Sequence, residues 1–486
     1  MNALIAIMLV AMLASSMLCI AVRSKPIVTA VMPACSAVLL IIAAALCIPI
    51  LGGDTVDDGA FYIDAVSAVF MLLVAFIGLM ASIYSRAYIG LEVTEGMVSH
   101  KEQGQYYSLL VVFISVMMLT FTVRSMAIVW LGIGATTLVS TFLVGFYSKE
   151  ESTEAAWKYI ILCSVGITIA LAGFTLVYAS TIGVMDSDSS LDWPALLAAA
   201  DRLDPTLMKM AMVLIIVGFG TKVGFVPMHT WLPDAHSQAP SPISGLLSAV
   251  LLNCALYGIL RFYFVSEIVN PGFASSILLA FGLLSLAVAA FFIVSAKDLK
   301  RMLAYSSIEN MGLIAIGFGI GSPIAIAGAV MQLVAHSVTK PILFFSAGNI
   351  VQSYGTREME RIKGVGRSMP FTSFMLTAGT LAIVGAPPFA IFVGELTLLS
   401  GAVDTGMYWT AALMIALLAI VFAGFIRHIF PMITGDAGRE IDAHPSLSRS
   451  IPLIVLFAAT LFLGLFMPDT MKDWLDNILS CMGVPL

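Results

Sequence analysis

Residues Phe219–His236 read FGTKVGFVPMHTWLPDAH. Lys222 stands inside an apolar stretch that begins near Leu207, Pro227 follows five residues later, and a Trp-Leu-Pro-Asp turn comes after that. A bare ammonium at membrane depth costs on the order of 3 kcal/mol, and such charges as a rule serve function. Proline removes a backbone hydrogen bond. Interrupted helices within a membrane are tolerated where the freed backbone lines a cavity or is buried in protein. A lysine that snorkels to the interface is the plain alternative, and the apolar continuation VGFVP argues against it. The segment therefore reads as a broken transmembrane helix with a functional charge beside the break.

The rest of the chain supports membrane depth. Of its 486 residues 60% are hydrophobic and 11% charged, with a mean hydropathy of +1.02; a soluble domain is nearer half apolar and a quarter charged. Hydropathy and length give about fourteen spans, near 1–22, 27–51, 61–85, 107–123, 125–146, 157–181, 207–228, 243–264, 274–295, 302–320, 323–351, 371–400, 407–432 and 450–468. The longest connections expected are 86–106 and 182–206. The N-terminus, with no basic region before its apolar run, reads as a retained first span. The cysteines (Cys19, Cys35, Cys47, Cys163, Cys254, Cys481) have no ligand spacing and read as small apolar residues. Neither an iron–sulfur cluster nor a haem is implied, and no glycine-rich phosphate loop follows a strand.

Basic residues set the orientation. Loops after odd-numbered spans hold Arg23, Lys25, Arg86, Lys101, Lys149, Lys158, Lys297, Lys300, Arg301, Arg357, Arg361, Lys363, Arg367, Arg427, Arg439 and Arg449; the other side holds Arg124, Arg202, Lys209, Arg261 and Lys472. By the positive-inside rule the odd loops are cytoplasmic and both termini lie outside. Lys300 reads first as one of these topology anchors.

A short set of ionisable residues falls within the spans: Lys222, Glu309, His336, Lys340, Glu395 and Asp64. GTLAIVGAPPFAIFVGELTLL breaks the twelfth span at Pro387 and Pro388 and puts Glu395 after the break, whereas Lys222 precedes its break. Inverted repeats with charged sites at the midplane give that pattern. His336 and Lys340 stand at i, i+4, on one helix face, with Pro341 next, and read as steps of a proton relay. If the tenth span starts near Arg301, Glu309 lies ~12 Å in at 1.5 Å per residue. His229, Asp234 and His236 cluster after the first break without a recognisable metal spacing.

Two long motifs, TKVGFVPMHTWLPDAHSQAPSPISGLLSAVLLNCALYGILRF (Thr221–Phe262) and KDLKRMLAYSSIENMGLI, resemble the antiporter-like subunits of respiratory complex I, Mrp-type cation/proton antiporters and membrane-bound NiFe hydrogenases. EAAWKYIILCSVG, SSIENMG and LLN at Asn253 are most similar to the hydrogenase-4 component F type, the complex I branch usually having a lysine at Asn253. The resemblance implies proton translocation. Lys222 matches the lysine of the broken seventh span, His336 and Lys340 the polar residues of the eleventh, and Glu395 the charge of the broken twelfth. His229 and Glu309 join this expected pathway, with Asp64, Asp234, His236, Asn253 and Lys300 in support. The family pairs the seventh-span lysine with a glutamate on the fifth span; here Gly134 aligns with it, and no acid stands in 107–146. Asn310 stands where relatives tend to have histidine. The chain also lacks, by this reading, the long lateral helix that one complex I member carries after its core.

The expectation is an all-α polytopic membrane protein with helices seven and twelve broken. Its parts are N-terminal helices at 1–106, a first inverted repeat at 107–264, a second at 265–432, and a C-terminal helix at 433–486. The function expected is that of a proton-translocating subunit of a redox-driven complex in a prokaryotic cytoplasmic membrane, linked to a NiFe hydrogenase or to a formate hydrogenlyase-like complex. An Mrp-type subunit is the alternative, as is a structural anchor weakened by Gly134. The chain itself is expected to bind no cofactor, with the NiFe centre and iron–sulfur clusters in partners. Those partners are further antiporter-like membrane subunits and a peripheral hydrogenase or dehydrogenase arm on the cytoplasmic side, within a lipid bilayer and without nucleic acid.

Overall fold

The structure, a computed structural model, describes residues 2–22, 27–436 and 446–483; Arg23, Lys25 and Arg439, used above for orientation, lie outside these. Among the described residues 13 helices are long and apolar enough to cross a membrane. The remaining expected span, the twelfth, is two short helices, Pro370–Ile383 and Ala390–Asp404. Spans are numbered one to fourteen in chain order below. The fold is all-α apart from a small antiparallel hairpin, Val56–Asp58 with Phe61–Ile63.

Span seven runs Pro205–Val223 and stops at Gly224, whose φ of +91° suits glycine. A 3₁₀ turn and the helix Trp231–Gln238 complete it. Span eight (Ser241–Val269) contains a π-helical turn at Leu247–Leu251. Such turns leave part of the i→i−4 ladder unmade and are frequent at functional sites.

Spans three and four are longer than the sequence suggests. Span three (Ala65–Thr94) continues past Arg86, and span four begins at His100, so the expected 86–106 connection shrinks to 95–99. Polar residues there mark helix ends, and a capping box between Ser99 and Glu102 starts span four. The 182–206 connection carries short helical turns, among them Trp193–Ala198. The C-terminal segment holds span fourteen (Leu447–Leu465) and also an amphipathic helix, Asp469–Cys481, whose Asn477 donates to the Leu51 carbonyl.

Burial sorts the helices. In their most apolar windows, spans eight and ten (Leu299–Ile320) are wholly buried, against 22% of span fourteen. The inner helices are also those rich in polar side chains. Aliphatic residues such as Leu131 and Ile161 face outward, as a chain in lipid requires.

Two charged residues differ from expectation. Arg261, assigned to an outer loop, is buried in span eight and grips Asp64 through both carboxylate oxygens at 2.6 and 2.7 Å. Asp64 also caps span three through the Ser67 amide, so this pair ties spans three and eight together. Lys300 is buried and donates to the Ala239 carbonyl, whereas its neighbour Arg301 takes the surface role and pairs with Asp234 at 2.8 Å.

Candidate proton-relay site

Span eleven (Pro323–Tyr354) carries Gln332, His336 and Lys340 at steps of four, hence on one face. Lys340 donates to the Leu303 carbonyl at 2.7 Å and to the Ser306 hydroxyl of span ten. Three residues on, Glu309 accepts from Asn310 Nδ2 at 2.6 Å, and Asn310 Oδ1 accepts from Gln332 at 2.8 Å. This amide chain fixes span ten against span eleven. Glu309 Oε1, Gln332 Oε1 and both ring nitrogens of His336 are buried without a hydrogen-bond partner.

Glu395 sits in the second piece of span twelve and folds back over its break. A Cβ placed on Gly385 would lie 1.9 Å from Glu395 Oε2, and Gly385 has φ +69°. Glycine is required there both for the backbone and to leave room for the carboxyl. Glu395 Oε1 is also unpartnered. Glu309 lies within electrostatic reach of both Glu395 and Lys340, so the structure brings these three together.

In the first half, Lys222 is fully buried near the end of the first piece of span seven. Its ammonium donates to the Ile133 carbonyl, to Thr136 Oγ1 at 2.5 Å and to Thr137 Oγ1 at 2.6 Å, all on span five (Met126–Val144). Three neutral oxygens of span five thus hold the ammonium, in keeping with the lack of an acid expected there. A Cβ at Gly134 would meet only Ile167 Cγ2, at 3.9 Å, so Gly134 looks toward span six (Glu150–Thr181) and Thr136 and Thr137 form the face that meets the lysine.

Span eight links the halves. Asn253 Nδ2 donates to Ser337 of span eleven at 2.8 Å, Ser248 meets Ser307 of span ten at 2.7 Å, and Cys254 lies within reach of the Lys222 charge. His236 is fully buried with neither ring nitrogen bonded; its ring packs against Trp231 and Phe344 at centroid distances of 6.3 and 5.7 Å, within reach of the charges of Lys300 and Lys340. His229 is only half-buried beside Tyr305. Asp234 lies near the surface and bridges Lys158 and Arg301, so neither belongs to the buried cluster. Among the described residues no group of three or more His, Cys, Asp or Glu side chains could hold a metal ion.

Sequence reasoning passed over Thr136, Thr137, Ser306, Gln332, Ser337 and Gly385. Gln332 was findable, being one helical step of four before His336. Nothing in the sequence tells the lysine-facing threonines of span five from the many hydroxyls that bond their own helix.

Comparison with known proteins fits this geometry. Residues 123–423 match the family described as NADH:quinone oxidoreductase/Mrp antiporter, TM, and residues 55–94 match NADH-Ubiquinone oxidoreductase (complex I), chain 5 N-terminus. The chain belongs to the antiporter-like subunit family. It is 36% identical over 422 residues to the hydrogenase-4 component F homolog of Methylacidiphilum infernorum, covering 86% of this chain and 87% of the relative. It is 28% identical to NADH-quinone oxidoreductase subunit N of Desulforudis audaxviator, covering 83% and 81%. A chain of the archaeal membrane-bound sulfane sulfur reductase shares the fold, with a TM-score of 0.87 at 23% identity over 99% of this chain and 97% of that one. This antiporter-like subunit is thus a membrane protein of the complex I, Mrp and hydrogenase type, whose similar structures come from multi-subunit complexes.

Proposed function

We propose that this antiporter-like subunit carries protons within a redox-driven membrane complex of the NiFe hydrogenase or formate hydrogenlyase type, through Glu309, His336, Lys340 and Glu395. The observation that carries this reading is the set of buried titratable side chains in spans ten to twelve with polar atoms left unpartnered. A buried polar group without a partner costs on the order of 1–3 kcal/mol, and helices in lipid retain such groups where protons or ions pass. The 36% identity to a hydrogenase-4 component F homolog supports the hydrogenase-linked assignment over an Mrp-type one. The redox centres then belong to partner subunits, with a peripheral arm on the cytoplasmic side, where the basic loops lie, and both termini outside. The two inverted repeats at 107–264 and 265–432 are part of the same proposal.

A second reading, a first half that anchors and no longer pumps, draws on the neutral surroundings of Lys222. Both are tested with the full chain in vesicles loaded with a pH-sensitive dye, driven by a potassium diffusion potential. Proton uptake that Lys340→Met abolishes supports conduction by the second half. A wild-type chain that takes up no protons overturns it.

A further inference from the structure

Lys300 and His236 lie on the side of Lys340 toward the end of span three, within electrostatic reach of it or of each other, and near Lys300 lies a further buried carboxyl, Glu92. Glu92 stands in the last turn of span three and is buried. Its Oε1 accepts from the Tyr147 hydroxyl at 2.7 Å and from Gln352 Nε2 at 3.1 Å. Its Oε2 has no partner. A carboxylate held for structure alone is satisfied at both oxygens or paired with a cation. A guanidinium is at hand, but Arg449 donates to Gln352 Oε1 at 2.7 Å and to Asn349, one residue shell away.

The other side of Glu92 faces the relay. Span three packs on the start of span eight, just after Ala239, whose carbonyl holds the Lys300 ammonium. Lys300 and Glu92 act on each other electrostatically, and His236 stands within reach of both Lys300 and Lys340. Glu92, Lys300, His236 and Lys340 are thus buried titratable groups, each within electrostatic reach of the next, from the end of span three to span eleven.

We propose that Glu92 is the mouth of the proton path on the basic-loop face, taking a proton from water and passing it by way of Lys300 and His236 to Lys340. This rests on the proton-carrying reading above. In each step an O–H or N–H bond breaks and an N–H bond forms on the next group's lone pair: the Glu92 carboxylic acid yields to the Lys300 amine, the Lys300 ammonium to one His236 nitrogen, and the other His236 nitrogen to the Lys340 amine. Glu92 is left as a carboxylate and is reprotonated from the aqueous side.

The test uses the full chain in the same dye-loaded vesicles, comparing wild type, Lys340→Met, Glu92→Gln and Glu92→Asp. Glutamine keeps the oxygen that Tyr147 and Gln352 bond and removes only the titratable proton. Expected is a flux loss of ~100-fold in Glu92→Gln, the low end of what a positioned proton-transfer group contributes, with most of it restored in Glu92→Asp and thermal stability unchanged. If Glu92→Gln does not fold, wild-type protein is treated with an apolar carbodiimide and the modified carboxyls are located by mass spectrometry. Modification at Glu92 should track loss of flux. A conducting wild type whose Glu92→Gln form, or whose Glu92-modified form, conducts equally overturns the mouth alone; a non-conducting wild type overturns the proton-carrying reading and the mouth with it.

Discussion

Lys222 donates to the Ile133 carbonyl and to the Thr136 hydroxyl three residues on; Lys340 donates to the Leu303 carbonyl and to the Ser306 hydroxyl three residues on. The two halves hold their central lysines by the same device, a helix carbonyl and a hydroxyl one turn along. What surrounds the device differs. Glu309 lies within reach of Lys340, with Glu395 beyond it. Around Lys222 the nearby groups are Thr137 and the thiols of Cys163 and Cys254. Hydrogen bonds from neutral oxygens can hold an ammonium, but they give it no opposite charge to gain and lose. Among the described residues, the central lysine with an acid within electrostatic reach is that of the second half.

The comparison breaks most easily at its strong end. Lys340→Met or Glu395→Gln should lower proton flux in vesicles by ~100-fold, the low end of what a positioned proton-transfer group contributes; flux within a factor of two of wild type would remove both from the path. Gly385→Ala comes next. The new methyl group takes the space of the Glu395 carboxyl and should cost ~10-fold in flux, with a stability loss of about 1 kcal/mol or more from the left-handed backbone. A silent Gly385→Ala would mean that Glu395 works from another position.

Lys222→Met should cost less, ~5-fold, equivalent to about 1 kcal/mol. An effect as large as that of Lys340→Met would show that Lys222 carries protons with only the neutral oxygens of span five around it. The smallest effect sharpens the comparison best. Thr137→Glu puts an acid on the face that meets Lys222, while Gly134→Glu points one toward Ile167. A double-mutant cycle with Lys222→Met should give a coupling of ~1 kcal/mol for Thr137→Glu and none for Gly134→Glu. The reverse result would mean that span five turns its other face to the lysine.

Much of this was legible in the chain itself. Span number, the two breaks and the charged residues near them follow from hydropathy, proline and the cost of charge in lipid, which are local properties of sequence. The i, i+4 spacing of His336 and Lys340 fixed a shared face. Ends of helices were less legible: Arg86 and Lys101 looked like loop residues, although a helix can run on past the apolar zone into water, as spans three and four do.

Partnership was decided only by the tertiary structure. Asp64 and Lys222 look alike in sequence, each a charge falling within an expected span. Asp64 meets Arg261, 197 residues away, and becomes a fastening; Lys222 meets Thr136 and Thr137, 86 and 85 residues away, and stays a cation without an anion. Lys300 reads as an anchor and is buried, while Arg301 beside it reaches the surface. Hydropathy depends on what a residue is, and is summed along the chain. Pairing depends on which two helix faces meet, and a rotation of one residue, about 100°, exchanges Gly134 for Ile133 or the surface for the core.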